Sequence, residues 1–167
     1  MNSPYMGRFE VTQIQHPEHD GLDLVGLDSK EIHATEYGKV IYAGWENEKN
    51  HAQGFGLYVC IYSPVQQAYL YYGHLSELRC STGDTVKITD VIGIEGSTGY
   101  STGSHCHYCA RRQYAKGNSF DISKISGIPN KTGVYDDGYR PPSDNAQSPK
   151  KMLKIYLDDE LIISRYL

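Results

Sequence analysis

No apolar run in this 167-residue chain approaches the length of a membrane-spanning helix. The segment Met1 to Glu10 lacks the apolar stretch of a secretory signal peptide. Positive charge is in deficit: 16 Lys and Arg face 20 Asp and Glu, for a net charge of -4. No basic footprint therefore argues for nucleic acid. Low-complexity tracts are absent, Phe (3) and Trp (1) are scarce, and few segments have helical periodicity. The expected partners include neither nucleic acid nor a membrane.

What is present is Gly (17) and Tyr (15), in a chain that is 39% hydrophobic and 22% charged. Glycine punctuation between Tyr- and Val-containing runs suits a turn-rich β protein. Strands are expected at Arg8–Gln13, Gly38–Gly44, Gly56–Tyr62, Ala68–His74, Thr85–Ile88, Val91–Ile94 and His105–Arg111. Asp121 to Ile125 reads as a single helical turn. Pro141 to Pro149 reads as a linker, and Lys151–Leu157 with Leu161–Leu167 as a terminal hairpin around Asp158-Asp159-Glu160. The expected organisation is a body over 1–125, an extension and linker over 126–149, and a strand pair over 150–167.

Four cysteines occur, at 60, 80, 106 and 109. Cys106-His107-Tyr108-Cys109 has CxxC spacing, but residues i and i+3 of a strand face opposite sides, so these thiols are not expected to meet. Free, partly buried thiols are the expectation.

The informative stretch is Gly103-Ser104-His105-Cys106-His107. Its histidines lie two residues apart, so on a strand both point to one face, shared with Cys109 and Arg111. Cys106, Tyr108 and Ala110 share the other face, which is apolar and suits a core. Upstream, His16-x-x-x-Asp20 and His19-x-x-x-Asp23 both have the spacing to add a second imidazole and a carboxylate. The second register is preferred: Leu22, Leu24 and Val25 around Asp23 read as a strand entering the core, while His16 precedes Pro17. Two imidazoles and one carboxylate make a zinc site with an open fourth position.

In this order the motifs resemble the lysostaphin-type zinc endopeptidases, the glycyl-glycine endopeptidase family of peptidoglycan hydrolases. The resemblance rests on His19-Asp20-Gly21-Leu22-Asp23, Tyr72-Gly73-His74-Leu75, the hairpin-like Thr82-Gly83-Asp84-Thr85-Val86-Lys87, and the Gly/Ser/Thr-rich loop Gly96 to Ser104 leading into His105-Cys106-His107. It spans residues 8–112. The resemblance implies a twisted antiparallel β-sheet or sandwich of the duplicated hybrid motif type, with an irregular C-terminal extension. It also implies one Zn2+ held by His19, Asp23 and His107, with His74 and His105 as catalytic histidines. One of these would take a proton from the attacking water. The other would stabilise the oxyanion or protonate the leaving amine. The division between the two stays open, as does the bond cleaved, in a cross-bridge or a stem peptide.

The chain departs from the family pattern at Cys109, where an acidic or amide residue is common. It faces the same side as His107 and could neighbour that histidine or catch a metal ion adventitiously, but an inert thiol at the cleft edge is the preferred reading. Loops Glu46–Gly54 and Ser97–Ser104 are expected as groove walls, His33 and His51 as bystanders, and Tyr72 and Tyr100 as packing or substrate contacts. Action at the cell wall without a signal segment implies release by lysis, carriage on a phage tail, or excision from a longer protein. Two other classes compete. A non-catalytic wall-binding activator would lack the zinc ligands, and a phosphocarrier domain of the sugar phosphotransferase system would not need the H-x-H pair.

Overall fold

The computed structural model describes residues 2–114, 118–140, 152–157 and 160–166. The proposed linker at 141–149 and the Asp158-Asp159 turn lie outside the described residues. The chain is mainly β, as its glycine-punctuated runs imply.

The strands are β1 (Arg8–Gln13), β2 (Leu22–Gly26), β3 (Glu31–His33), β4 (Gly38–Trp45), β5 (Leu57–Ser63), β6 (Ala68–Leu75), β7 (Glu77–Leu78), β8 (Thr85–Val86), β9 (Val91–Ile94), β10 (Cys106–Arg111), β11 (Ser119–Phe120) and β12 (Gly133–Asp136). One helical turn, α1 (Ser123–Ser126), falls where it was expected. A nine-stranded antiparallel sheet runs β12-β1-β2-β10-β6-β5-β4-β8, with β11 pairing β10. A three-stranded sheet, β3-β9-β7, accompanies it. At the C-terminus β13 (Met152–Leu157) pairs antiparallel with β14 (Glu160–Tyr166).

Strand alternation divides the large sheet into two faces. Phe9, Val11, Leu22, Leu24, Val59, Ile61, Leu70, Tyr72, Cys106, Tyr108 and Ala110 line one face. Ile32 of β3 and Ile92 of β9 join the same core, so the small sheet packs against this face. Tyr72 and Tyr108 are fully buried, and both hydroxyls meet Thr35 Oγ1, at 2.7 and 2.8 Å. Tyr72 is therefore packing, and contact with a substrate is closed to it. The opposite face carries a second, aromatic cluster of Tyr58, Cys60, Tyr71 and Cys109, flanked by Phe55, Tyr42 and Tyr69. The alternating residues of β10 thus send Cys106 and Cys109 into different clusters, and all four cysteines are free.

Several strands differ from expectation, among them the short β7 and β11, which the sequence did not announce. The run Thr85–Ile88 pairs only at Thr85–Val86, because Asp90 turns the chain by accepting the Lys87 N–H at 2.8 Å. β12 was not foreseen. It adds to the edge of the main sheet beside β1, where Tyr135 packs 6.0 Å from Phe9 and Asp137 accepts the Gly7 N–H. The change of texture after Arg112 therefore marks no break in the sheet.

Glu95 ties several of these pieces together. Its carboxylate accepts hydrogen bonds from Tyr5 Oη (2.6 Å), the Gly26 N–H (2.9 Å), Lys30 Nζ (2.8 Å) and Ser104 Oγ (2.5 Å). Burial pushes this carboxyl up, but the four donors outweigh it and hold its pKa below the usual value. We predict that Glu95→Gln lowers unfolding free energy by about 1–3 kcal/mol in urea at pH 7. A carboxyl whose folded pKa is depressed contributes fully above its unfolded value, about 4.3. That contribution fades as pH falls through the folded value. The gap between wild-type and Glu95→Gln urea midpoints should therefore close below about pH 4, and a gap constant down to pH 3 would contradict this.

Candidate metal centre

The site forms on the aromatic face of the large sheet, where three strands are in register. β10 lies between β2 and β6, and His107 sits opposite Asp23 on one side and Gly73 on the other. Leu22 and Leu24 point into the core, so Asp23 between them must point out, toward His107. Gly73 leaves room above the strand: a Cβ there would come within 3.0 Å of the Phe55 ring.

His74 reaches the same face by a different route. With Leu70 and Tyr72 buried in the main core, alternation would send residue 74 inward as well. His74 instead has φ +63°, in the left-handed region that a non-glycine residue enters at some cost. This inverts the alternation. The His74 ring comes to lie 4.7 Å from that of His105 and 6.0 Å from that of His107, and Leu75 returns to the core. The neighbouring strand absorbs the irregularity by a register shift between Leu57 and Val59.

His105 closes the neck of the Gly/Ser/Thr loop. It bridges Gly96 through its N–H at 3.0 Å, while Ser104 binds Glu95. Thr98 within the loop accepts the His74 Nδ1–H at 2.7 Å and fastens both flanking strands, with Oγ1 donating to Leu75 O and accepting the Leu57 N–H. The loop Glu46–Gly54 is joined to it: His51 O accepts the Gly99 N–H and Gly54 O the Tyr100 N–H, both at 2.9 Å. The two expected groove walls are thus one continuous rim. Tyr100 projects from it, 85% exposed.

His19 lies one turn upstream of Asp23, in a turn closed by a His16–His19 bridge. Its Nε2 is 3.1 Å from Asp23 Oδ1, and His107 Nδ1 is 2.9 Å from the same oxygen. His105 Nε2 stands 3.6 Å from Asp23 Oδ2. The sequence-derived residues His19, Asp23, His74, His105 and His107 are therefore all brought together; both Asp20 and Asp23 reach β10, and of the two upstream histidines His19 is the one beside His107, with ring centres 4.8 Å apart. His16 stacks at the outer side of His19, with ring centres 5.7 Å apart. His33 is buried in the small sheet, donating from Nδ1 to Thr89 O, and His51 stacks on Trp45.

Hydrogen bonding fixes which nitrogen of each ring faces inward. Carbonyl oxygens accept from Nδ1 of His19 (Ile14 O, 2.9 Å), His74 (Thr98 O) and His105 (Gly103 O, 2.8 Å). Each ring so held carries a proton on Nδ1 and turns Nε2 inward. His107 is reversed: its Nε2 donates to Asp20 at 3.1 Å, which directs Nδ1 at Asp23. Burial disfavours a charged His107, but Asp20 and Asp23 outweigh it and raise its pKa well above the ordinary value. Burial and the nearby His105 lower His74 to about 4, leaving it neutral at neutral pH. The Asp23 carboxyl is pushed up by burial, yet His107 and His19 bring it well below the usual range.

These donors fit a divalent cation such as zinc. The ligand atoms of His19, Asp23 and His107 lie within 4.8 Å of one another. A tetrahedral ion with bonds of about 2.0–2.1 Å separates its ligands by roughly 3.3 Å. The imidazole nitrogens and the carboxylate oxygen call for positive charge between them, which protons supply here and a divalent cation would supply in their place.

Sequence reasoning set Asp20 aside with the His16-x-x-x-Asp20 register and did not assign Arg111. Asp20 Oδ2 accepts from Arg111 Nη2 at 2.7 Å, so an acidic residue inside the His-x-x-x-Asp element is paired with a cation on the face of β10 that carries His107. That shared face was the available signal. Cys109 is fully buried in the aromatic cluster rather than set at a cleft edge. Its thiol also lies within 4.8 Å of donor atoms of Asp20 and His107.

The sequence profile of peptidase family M23 matches residues 17–121, a span that contains all five site residues. Glycyl-glycine endopeptidase ALE-1 of Staphylococcus capitis is 34% identical over 90 residues, covering 54% of this chain and 24% of that protein. Among solved structures, the catalytic domain of the antimicrobial peptidase lysostaphin from Staphylococcus simulans superposes with a TM-score of 0.59 at 26% identity, covering 71% of this chain and 89% of that one. A variant catalytic domain of the prophage-encoded M23 protein EnpA from Enterococcus faecalis gives 0.59 and 26%, covering 72% of this chain and 94% of that one. The chain spans about a quarter of the length of ALE-1.

Gly21 supplies a local test of this packing. A Cβ there would stand 2.6 Å from Tyr108 O, 2.7 Å from Cys109 Cβ and 2.9 Å from His107 Nε2. Gly21→Ala should therefore push the His19–Asp23 element off β10, lower stability by roughly 1–3 kcal/mol, and shift the His107 ring resonances in NMR spectra. Unchanged Tm and resonances would mean that the close approach is not real.

Proposed function

The chain belongs to peptidase family M23, and from that premise we propose that it is a zinc-dependent endopeptidase hydrolysing peptide bonds of peptidoglycan, in a cross-bridge or a stem peptide. The observation that carries this reading is the convergence of inward-facing imidazole nitrogens on the Asp23 carboxylate. In this reading His19 Nε2, an Asp23 oxygen and His107 Nδ1 hold one Zn2+, and His74 and His105 act beside it. A zinc ion held by three protein ligands supplies Lewis acidity, acidifying water and polarising a peptide carbonyl.

The chain's own groups do the rest. His74 and His105 present neighbouring Nε2 atoms on the open side of Asp23, each ring locked by a backbone carbonyl. One would take the proton of the attacking water on Nε2, and the other, when its Nε2 carries a proton, would donate a hydrogen bond or that proton to the oxygen or amine that gains charge. Because both are oriented before substrate arrives, little reorganisation is needed at the moment of reaction. The rim of Glu46–Gly54 and Ser97–Ser104, with exposed Tyr100, bounds the approach of a peptide. The relatives' names point to the wall: ALE-1 is a glycyl-glycine endopeptidase, and a Neisseria meningitidis relative is a DD-carboxypeptidase/endopeptidase. An enzyme of this kind acts at the cell wall.

The test is release of free amines from purified peptidoglycan, with and without a zinc chelator and after zinc re-addition. Release that disappears on chelation and returns with zinc is expected, and mass spectrometry of the digest names the bond. His107→Ala should lose zinc and activity together. His74→Ala and His105→Ala should each retain zinc and lose about 10²–10⁴-fold in kcat/KM. Full hydrolysis by His107→Ala, or no release by zinc-loaded protein from any wall type, would overturn the proposal.

A further inference from the structure

We infer that Asp20, clamped by Arg111, is a positioning residue that fixes the tautomer and ring angle of His107 and so sets the metal affinity of the site. The inference rests on the reading of His107 as a metal ligand, and it adds a role for two residues which that reading leaves unused.

The geometry forms a chain of three links. Asp20 Oδ1 accepts from His107 Nε2 at 3.1 Å. Asp20 Oδ2 accepts from Arg111 Nη2 at 2.7 Å and from Nε at 3.2 Å. The Arg111 guanidinium lies over the rings of Tyr71 (4.7 Å) and Phe55 (5.2 Å) and is itself only 7% exposed. A planar cation stacked on two aromatic rings has few places to go. Its two donors hold Asp20, and Asp20 holds the proton of His107 on Nε2. That leaves Nδ1 on the side of Asp23, where a cation can take the place of a proton, and a carboxylate on the far nitrogen makes an imidazole a better ligand.

Asp20, His107 and Cys109 are also close enough together to be read as a metal site of their own. Arg111 argues against that. It supplies the positive charge at Asp20 that a second ion would bring, and it blocks one of the two carboxylate oxygens. Cys109 is a thiol buried among Tyr58, Cys60 and Tyr71. The carboxylate that meets His107 Nε2 is Asp20, inside the His19–Asp23 element.

The experiment measures zinc dissociation constants by competition with a chromophoric chelator on wild type, Asp20→Asn, Asp20→Ala and His107→Ala. It is accompanied by visible spectra of the Co2+-substituted proteins and the Tm of each metal-stripped protein. Asp20→Ala should weaken zinc binding about 10- to 100-fold and alter the cobalt bands. Asp20→Asn keeps an oxygen for the Nε2–H but loses the charge, so it should fall between wild type and Asp20→Ala. A merely structural role would move Tm alone. Wild-type zinc affinity and cobalt spectra in both Asp20 variants, with zinc lost in His107→Ala, would overturn this inference and leave the metal site standing. Zinc retained in His107→Ala would instead overturn the ligand assignment beneath it. Asp20→Asn is isosteric and carries the test alone if Asp20→Ala does not fold.

Discussion

The pairing register of β10 is the constraint on which the site depends. His107 opposite Asp23 on one side and Gly73 on the other is a single choice out of a ladder of options. A slip of one residue would send His107 into the core and Tyr108 out of it. The core resists that slip, because Cys106, Tyr108 and Ala110 are fully buried with Leu22, Leu24 and Tyr72. Hydrophobic burial on one face therefore fixes polar geometry on the other. Asp23 and His107, 84 residues apart in sequence, owe their 2.9 Å approach to the apolar residues that fix the register of their strands.

Electrostatics then turns that geometry into a site for a cation. Three imidazoles donate outward to backbone carbonyls, and the fourth donates outward to a carboxylate. The inward side gathers ring nitrogens around the Asp23 carboxylate. Such a cluster favours positive charge at its centre, whether protons or a metal ion. Backbone carbonyls are effective here because the strands and loop that carry them are fixed independently. Thr98 alone is tied to β5 and β6 by three side-chain and backbone bonds.

Much of this was legible in the sequence, for identifiable reasons. The strands Arg8–Gln13 and Val91–Ile94 follow directly from alternation and glycine punctuation. The face carrying His107 follows from the apolar character of Cys106, Tyr108 and Ala110. His74 was recognised by motif, but its route to the site was not visible. Counting by twos from Leu70 and Tyr72 buries it, and nothing in the residue types announces a left-handed φ at a histidine. β12 was missed because Gly133-Val134-Tyr135-Asp136 is short and its pairing with β1 spans more than a hundred residues. Tyr72 was left open between packing and recognition because burial is a tertiary property, and only the Thr35 bonds decide it.

The aromatic face beneath the site bears on its chemistry as well as its shape. His107 rests against Phe55, with ring centres 5.4 Å apart, and Phe55 in turn lies by Tyr58 and Tyr71. Such a floor admits little water, so charges above it interact more strongly than they would in solvent. It also raises the cost of leaving Arg111 or Asp20 unpaired, since a lone buried charge is far more expensive than a matched pair. Burial pushes the Cys60 thiol up to about 12, so it stays neutral and brings no charge to this face. The neutral floor and the Arg111–Asp20 pair thus act in one direction. They leave the cation position between His19, Asp23 and His107 as the place on this face where positive charge is most strongly favoured.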